Sequence, residues 1–346
     1  MIILSFGRGP QDGSGRYFPA KARRVQGVPV IYLPFLHLPL LSELLSLLSP
    51  IPALWRIRRK QGRKTALFYN RMVLYLPALA VARMLRFETA LDLEDGEIDA
   101  RDPSISSTRS RAKSWIFDNL CSGGALLACR ALEGATTLRP VECCYGVAET
   151  RLPKANWDRA PYTILLGGTV SRDTGAPVLA RAIKILRDER FPWGDQLRFE
   201  ITGKGDCLSL FEDLSKKAGC PQVVVHGRTT DEEYERILSR THVGLALKPN
   251  SGVLAQTTFP SKVVEFASHG ILVLTTDISD VRTVLGDGAI YLETDDARVL
   301  VEKLRWIVEN PTQAAAVASL GARAVSERCG PQVVGEMLSS LLFRTA

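Results

Sequence analysis

The sequence lacks the cysteine and histidine patterns that mark disulfide frameworks and zinc sites. Its seven cysteines are an odd number without a Cys-x-x-Cys pair, and its four histidines have no close spacing. These patterns exclude a disulfide-stabilised scaffold and disfavour a His/Cys metal centre. Scattered free cysteines are instead typical of a reduced, cytoplasmic compartment.

The chain also lacks an uninterrupted apolar run long enough to cross a membrane. Its most apolar stretch, Val28 to Trp55, contains five prolines and Glu43, whereas a spanning helix needs about 20 mostly apolar residues in a row. Four leucines in this stretch share one side of a helix, so we predict an amphipathic helix over residues 40–49. They are Leu41, Leu44, Leu45 and Leu48.

Acidic residues are scarce at the start of the chain. Residues 1–64 contain eleven Lys and Arg but only two Asp and Glu, whereas residues 151–346 contain 24 of each sign. The first half is therefore expected to contact something anionic. Six of its cations follow the predicted helix directly: Arg56, Arg58, Arg59, Lys60, Arg63 and Lys64.

The apolar helix face, Trp55 and this basic cluster predict that Leu40–Lys64 binds an anionic bilayer surface. A helix docked on its own sheet, with a solvated basic end, is an equally good interpretation. The cluster has no interleaved aromatic residues and matches no nucleic-acid-binding motif, so we expect no nucleic acid partner.

Short strand-like runs alternate with helical patterns along the whole chain of 346 residues, which indicates an α/β protein of two domains. In the second half, strands are predicted at 162–166, 197–202, 223–226, 243–247, 271–275 and 289–292. We expect two doubly wound, Rossmann-like domains facing a cleft, over residues 1–155 and 156–330. A final helix within 331–346 is expected to return toward the first domain. Ligands of such sheets bind beyond the carboxyl ends of the strands.

One helical turn, Pro260-Ser261-Lys262-Val263-Val264-Glu265, has the residues for phosphate and ribose recognition. Pro260 suits the start of a helix, whose free N–H groups bind anions. Lys262 adds a positive charge there, and Glu265 lies three residues later on the same side of the helix. Its carboxylate can accept two hydrogen bonds from a vicinal diol. An ordinary exposed Lys–Glu pair is the alternative.

Residues 160–330 resemble the C-terminal, donor-binding domain of a GT-B glycosyltransferase, similar to glycosyltransferase family 4. The matching pieces are Leu166-Gly167-Gly168, Ile201-Thr202-Gly203-Lys204-Gly205, Val225-His226-Gly227 and the segments 243–249, 259–267 and 270–276. The first half resembles the acceptor domain of the family only in outline, through Tyr69-Asn70 and residues 91–97.

The resemblance implies transfer of a sugar from a nucleotide-sugar with retention of anomeric configuration and without a metal or other cofactor. The lack of an Asp-x-Asp motif in the second half agrees with this. The resemblance makes Glu265 the ribose-binding carboxylate. It places Gly167, Gly168, Gly203 and Lys204 on the loops that face the donor, although Gly203-Lys204-Gly205 could equally be a plain turn.

The sequence departs from the family pattern at three points. Thr257 stands where the family has a second glutamate, and it cannot supply a carboxylate to the sugar. The usual diphosphate-binding cations after the first strand are absent, and we expect Arg172 and Lys262 to replace them. The acceptor-domain histidine has no equivalent, because His37 lies on the apolar segment.

Further candidates lie near the ends of other strands. Arg228, after the third strand of the second half, is a candidate to cover the base. The carboxylates of Asp92, Glu94, Asp95 and Glu97 follow a strand of the first domain, where one of them would orient or deprotonate an acceptor hydroxyl. We take Glu94, Asp95 and Lys262 as candidate catalytic residues. A solvated turn at Asp95-Gly96 explains these acids equally well.

These features together predict a retaining glycosyltransferase. We expect it to act at the cytoplasmic face of a membrane, on a lipid-linked or polysaccharide acceptor in cell-surface glycan synthesis. Two alternatives remain. The missing partner glutamate would suit a non-catalytic GT-B scaffold in a polysaccharide-assembly complex. A sugar-nucleotide epimerase of the same fold would need no acceptor.

Overall fold

The computed structural model describes residues 1–6, 17–36, 38–94, 108–151, 155–217, 219–250 and 253–343. The chain divides into two compact units. The first comprises Met1–Leu127, Glu133–Glu142 and Ser339–Ala346, and the second comprises Ala128–Leu132 and Cys143–Leu338. Within the described ranges, none of the helices combines the length and the apolar character needed to cross a bilayer.

In the ranges that the structure describes, the first unit contains three small sheets and four α-helices. Its strands are β1 (Ile3–Phe6), β2 (Tyr17–Phe18), β3 (Lys21–Val25), β4 (Val28–Leu33), β5 (Phe35–Leu36), β6 (Thr65–Tyr69), β7 (Glu88–Leu93), β8 (Ala125–Leu127) and β9 (Val141–Cys143). Its helices are α1 (Pro39–Leu48), α2 (Pro50–Arg58), α3 (Leu76–Met84) and α4 (Thr108–Leu120). The sheet orders are β1-β4-β3, β2-β5 and β6-β7-β8-β9.

Parallel pairing joins β6 to β7 and β7 to β8, as the α/β pattern predicts. Strand β3 pairs antiparallel with β4 at the edge of its sheet and was not predicted. All five of its residues are exposed, so neither face of the strand needs apolar side chains. Its sequence therefore lacks the alternation of apolar and polar residues that predicts a strand.

The predicted amphipathic helix is present as α1, but its leucines are not the side that packs. The backbone stays helical through Ser49 into α2. Ser46, Pro50 and Leu54 are buried, whereas four large apolar side chains are about half exposed. These are Leu41, Leu44, Leu48 and Trp55, and their spacings of three, four and seven residues place them on one side of the helix.

The second unit contains one six-stranded sheet with helices on both faces. Its strands are β10 (Tyr162–Thr169), β11 (Leu197–Lys204), β12 (Gln222–Gly227), β13 (Val243–Ala246), β14 (Leu272–Thr276) and β15 (Ala289–Leu292). Its helices are α5 (Ala176–Glu189), α6 (Leu208–Lys216), α7 (Asp231–Leu238), α8 (Val253–Thr257), α9 (Ser261–Ser268), α10 (Val281–Leu285), α11 (Ala297–Glu309), α12 (Pro311–Cys329) and α13 (Pro331–Leu342), the last of which ends in the first unit.

All pairings in this sheet are parallel, in the order β12-β11-β10-β13-β14-β15. The strand order reverses between β10 and β13, and a ligand crevice forms at such a reversal, beyond the carboxyl ends of the strands. Burial on both faces explains why the strands read as apolar runs. Along β10, Ile164 belongs to the core on one face and Leu165 to the core on the other.

The six strands predicted in the second half are all present. Helix α12 was not predicted from the sequence, because its buried side is made of residues that are mostly small and carry little hydrophobic signal: Ala314, Ala318, Gly321, Val325 and Cys329. Gly321 lies against Gly288, so closely that a Cβ at Gly321 would come within 2.4 Å of the Gly288 carbonyl oxygen.

We expect Gly321→Ala to destabilise the protein by about 1–3 kcal/mol, because the overpacking outweighs the roughly 1 kcal/mol by which alanine favours a helix. The matched control is Gly335→Ala on α13, where a Cβ would meet no atom within 4 Å. The control should be neutral or stabilising. Denaturant titration of both variants checks this, and equal effects would show that α12 does not pack closely against Gly288 at Gly321.

Candidate functional site

Helix α9 positions the two charged residues of the predicted phosphate and ribose turn. Pro260 is the residue that precedes the helix, rather than part of its first turn, and the helix begins at Ser261. Val263, Val264, Phe266 and Ala267 are buried in the core. That packing leaves the Lys262 and Glu265 side chains partly exposed on the other side, where they form an ion pair.

A tyrosine that the sequence analysis missed completes this pair. Lys262 Nζ donates a hydrogen bond of 2.9 Å to Tyr234 Oη, from α7, and lies 4.9 Å from the centre of the Tyr234 ring. Burial, and then the negative charge of Glu265, raise the pKa of Tyr234 above its usual value, so its hydroxyl stays neutral. We refer to Lys262, Tyr234 and Glu265 as the α9 cluster.

The glycines at the end of β10 are required by the approach of this cluster. A Cβ at Gly167 would lie 2.9 Å from Tyr234 Oη, and a Cβ at Gly168 would lie 3.2 Å from Lys262 Cε. Gly168 also has a φ of 102°, which side chains rarely tolerate. The end of β10 therefore lies directly against the α9 cluster.

The end of β11 and the residue that follows it pack on the end of β10. A Cβ at Gly203 would come within 1.7 Å of the Gly168 carbonyl oxygen, and one at Gly205 within 2.0 Å of the Val170 carbonyl oxygen. The Gly203-Lys204-Gly205 segment is thus more than a plain turn, since its glycines allow two backbones to touch. The structure brings Gly167, Gly168 and Gly203 together with the α9 cluster.

Three predicted cations, Arg172, Lys204 and Arg228, stand at the same edge of the sheet. Each follows or ends one of the neighbouring strands β10, β11 and β12, and each side chain is exposed. In the part of the chain that the structure describes, none of them forms a hydrogen bond or ion pair with the α9 cluster. Their predicted contact with a diphosphate remains a prediction.

A fourth cation at this edge was not singled out from the sequence. Lys248 follows β13, the strand across the reversal of the sheet from β10. Its backbone N–H donates to Thr276 Oγ1 at 3.1 Å, and its Nζ donates to Thr258 Oγ1 at 3.0 Å. Thr257, which the resemblance aligned with the second glutamate, is the residue before Thr258 and ends α8.

In the first unit, polar side chains gather where β6 and β7 end. Tyr69 Oη donates to Glu94 Oε2 at 2.7 Å, and the Glu94 N–H donates to Asn70 Oδ1 at 2.9 Å. Burial, and then the charge of Glu94, raise the pKa of Asp92 to about 6. Asp95 and Glu97 lie outside the described residues, as does His37.

A carboxyl group whose pKa is raised toward neutral pH can take up and release a proton there, which makes Asp92 a candidate base. In the described residues, no cluster of three or more His, Cys, Asp or Glu side chains is arranged to hold a metal ion.

We expect the Asp92 carboxyl carbon to titrate with a midpoint near pH 6 in an NMR experiment. Glu94→Gln should lower this midpoint, because a repulsive charge is lost, but only in part, because burial is the larger cause. Since the folded state holds the proton more tightly than the unfolded state, the contribution of Asp92 to stability falls as pH rises from about 4 to about 6. An unchanged midpoint in Glu94→Gln would contradict the charge repulsion between Glu94 and Asp92.

Comparison with known proteins finds a family match within the second unit. Residues 160–310 match the family model described as "Glycosyl transferases group 1". This range, which is less than half of the chain, contains the α9 cluster and the glycines at the ends of β10 and β11. No curated protein matches the chain in sequence.

Solved structures match the fold of nearly the whole chain at low sequence identity. HepE from Anabaena, in complex with UDP, is 14% identical with a TM-score of 0.61, over 91% of this chain and 87% of HepE. The trehalose-6-phosphate synthase OtsA is 12% identical with a TM-score of 0.66, over 99% of this chain and 92% of OtsA. TarM is 11% identical with a TM-score of 0.67, over 94% of this chain and 63% of TarM. These neighbours are GT-B glycosyltransferases, and the predicted GT-B, α/β fold class is confirmed.

Proposed function

We propose that this protein is a retaining glycosyltransferase that moves a sugar from a nucleotide-sugar to a lipid-linked or polysaccharide acceptor. The observation that carries the proposal is the α9 cluster. A cation and a carboxylate from one helical turn lie beside the glycines at the carboxyl end of β10, which in turn contact Gly203 at the end of β11. All of these residues lie in the range that matches the glycosyl transferases group 1 model. HepE binds UDP, which makes UDP the first nucleotide to test.

In this proposal Lys262 binds the diphosphate and Glu265 binds the ribose hydroxyls. The two groups pair with each other, and a nucleoside diphosphate would offer each of them a further partner. Lys204 and Arg172 would add positive charge near the diphosphate. That charge would stabilise the nucleoside diphosphate as it leaves the anomeric carbon of the sugar, without a metal. Asp92, with Glu94 beside it, would orient the acceptor hydroxyl or take its proton.

We expect two variants to separate the roles of the charged pair. Lys262→Met should weaken binding of both UDP and pyrophosphate by about 10- to 100-fold, the size of one charge-assisted hydrogen bond of about 1.5–3 kcal/mol. Glu265→Gln should weaken UDP binding similarly but leave pyrophosphate binding undiminished, because pyrophosphate has no ribose. Calorimetry on the full chain measures both affinities.

The matched control is Glu309→Gln, which removes a carboxylate from an exposed pair with Arg305 on α11 and should change neither affinity. Loss of pyrophosphate binding in Glu265→Gln would contradict the assignment of this residue to ribose.

Mass detection of transferred sugar, with and without EDTA, tests transfer and metal independence. A wild-type protein that binds no nucleotide would favour the scaffold alternative, and conversion of a nucleotide-sugar without acceptor would favour the epimerase.

We further propose that the protein works at the cytoplasmic face of an anionic membrane, through residues 40–64. The half-exposed apolar side of α1 and α2 supports this, because a helix used only to cover its own sheet would bury its leucines.

Co-sedimentation with anionic liposomes should therefore occur and weaken as salt rises, because screening shortens the reach of the basic cluster. Neutral liposomes should bind less. Equal binding to neutral and anionic liposomes would contradict a role for the cations.

A further inference from the structure

The first unit has a basic cavity that takes no part in the sugar transfer proposed above. It has a volume of about 410 Å³ and lies where β6 and β7 begin. Four cations line it, Arg58, Arg63, Lys64 and Arg86, with the single carboxylate of Glu88. The volume falls within the range of small-molecule sites, about 300–1,000 Å³. The excess of positive charge indicates an anionic ligand.

Two of the four cations are occupied within the protein, and two are not. Arg63 forms a two-point contact with Glu88 through Nε and Nη2, at 3.0 and 2.6 Å, and Lys64 Nζ donates to the Gly62 carbonyl oxygen at 2.6 Å. Among the described residues, Arg58 and Arg86 have no acidic partner within ion-pair distance. Their guanidinium groups present several donors in a planar fork, which matches the oxygens of a phosphate.

The cavity is continuous with the apolar side of α1 and α2. The Arg58 guanidinium lies 5.9 Å from the centre of the Trp55 ring, and Trp55 is 49% exposed. Trp55 in turn continues the row of half-exposed leucines, Leu41, Leu44 and Leu48. A ligand that satisfies this whole surface needs a phosphate next to an apolar body, and a free phosphate compound would leave the tryptophan and the leucines in water.

We propose that this cavity binds the phosphate of an anionic phospholipid headgroup, while Trp55 and the leucines of α1 enter the interface beside it. The proposal rests on the membrane association proposed above and adds a specific headgroup site to it. General attraction between the basic cluster and an anionic surface depends only on charge. A headgroup site also depends on how accessible the phosphate is and on the shape of the guanidinium groups.

The test compares vesicles of matched surface charge. Phosphatidylcholine vesicles carry either phosphatidic acid, which exposes a phosphomonoester, or phosphatidylglycerol, which does not, at contents that give equal zeta potential. We expect the full-length protein to bind the phosphatidic acid vesicles about fivefold more tightly, the gain from roughly one additional cation contact. Equal binding to the two vesicles would overturn the proposal.

Three double variants identify the cations responsible. Arg58→Gln with Arg86→Gln should abolish the preference for phosphatidic acid. Arg58→Lys with Arg86→Lys keeps the charge but removes the planar fork, so the preference should fall while binding to both vesicles persists. Arg56→Gln with Lys60→Gln is the matched control, since both residues are exposed, belong to the same segment and lie outside the cavity. The control should weaken binding to both vesicles equally and keep the preference. Loss of the preference in the control would assign it to general charge and overturn the headgroup site.

Other ligand classes give distinct outcomes. Glycerol 3-phosphate that binds in solution as tightly as the vesicles would indicate a soluble ligand, and displacement of the vesicles by an oligonucleotide would indicate a nucleic acid site. Either result would overturn the proposal. UDP affinity measured without vesicles tests the nucleotide site of the second unit separately. A protein that binds UDP but shows no lipid preference would contradict only the headgroup site, and the reverse result would contradict only the nucleotide site.

Discussion

The edge of the second unit at which β10 and β11 end depends on where one ammonium group is held. Lys262 Nζ pairs with Glu265, donates to Tyr234 and lies near the rings of Tyr234 and Phe266. A lysine side chain loses up to about 2 kcal/mol of rotamer entropy when it is fixed. Here that entropy is lost in the folded state, before any ligand arrives. The cation is therefore already in position, and binding does not have to order it again.

Close backbone contact makes this arrangement possible. The carbonyl of Gly168 would meet a Cβ at Gly203 at 1.7 Å, and no side-chain movement relieves a clash with a backbone atom. A side chain at Gly203 would force the loops after β10 and β11 apart. Since Gly168 also contacts Lys262, separation of the loops would move the surface on which the ammonium rests. Gly168 and Gly203 also have positive φ angles, so the backbone conformation and the close approach both favour glycine at these positions.

The sequence predicted most where burial dictates the residues. Strands of the second unit are covered on both faces and appear as apolar runs. All six strands after residue 160 therefore begin within one residue of their predicted start, and β10, β11, β13 and β15 begin at the predicted residue. The pairing of Lys262 with Glu265 also followed from helical spacing alone. Tyr234 could not be predicted, because its role arises only when α7 packs beside α9, and nothing in its local sequence marks it. Helix α12 was not predicted for a similar reason. Its close packing depends on small side chains, and small side chains leave little hydrophobic pattern in the sequence.

The two ends of the parallel strands in the first unit have opposite chemistry. Cations line the cavity where β6 and β7 begin, and Asp92, Glu94 and Tyr69 gather where the same strands end. A strand of five residues separates these groups by about 13 Å, at about 3.3 Å per residue. If the cavity binds a lipid headgroup, the carboxylates at the other end face away from that headgroup. Such a geometry favours an acceptor whose reacting hydroxyl extends from the bilayer, as in a lipid-linked oligosaccharide, over one whose hydroxyl lies at the headgroup itself.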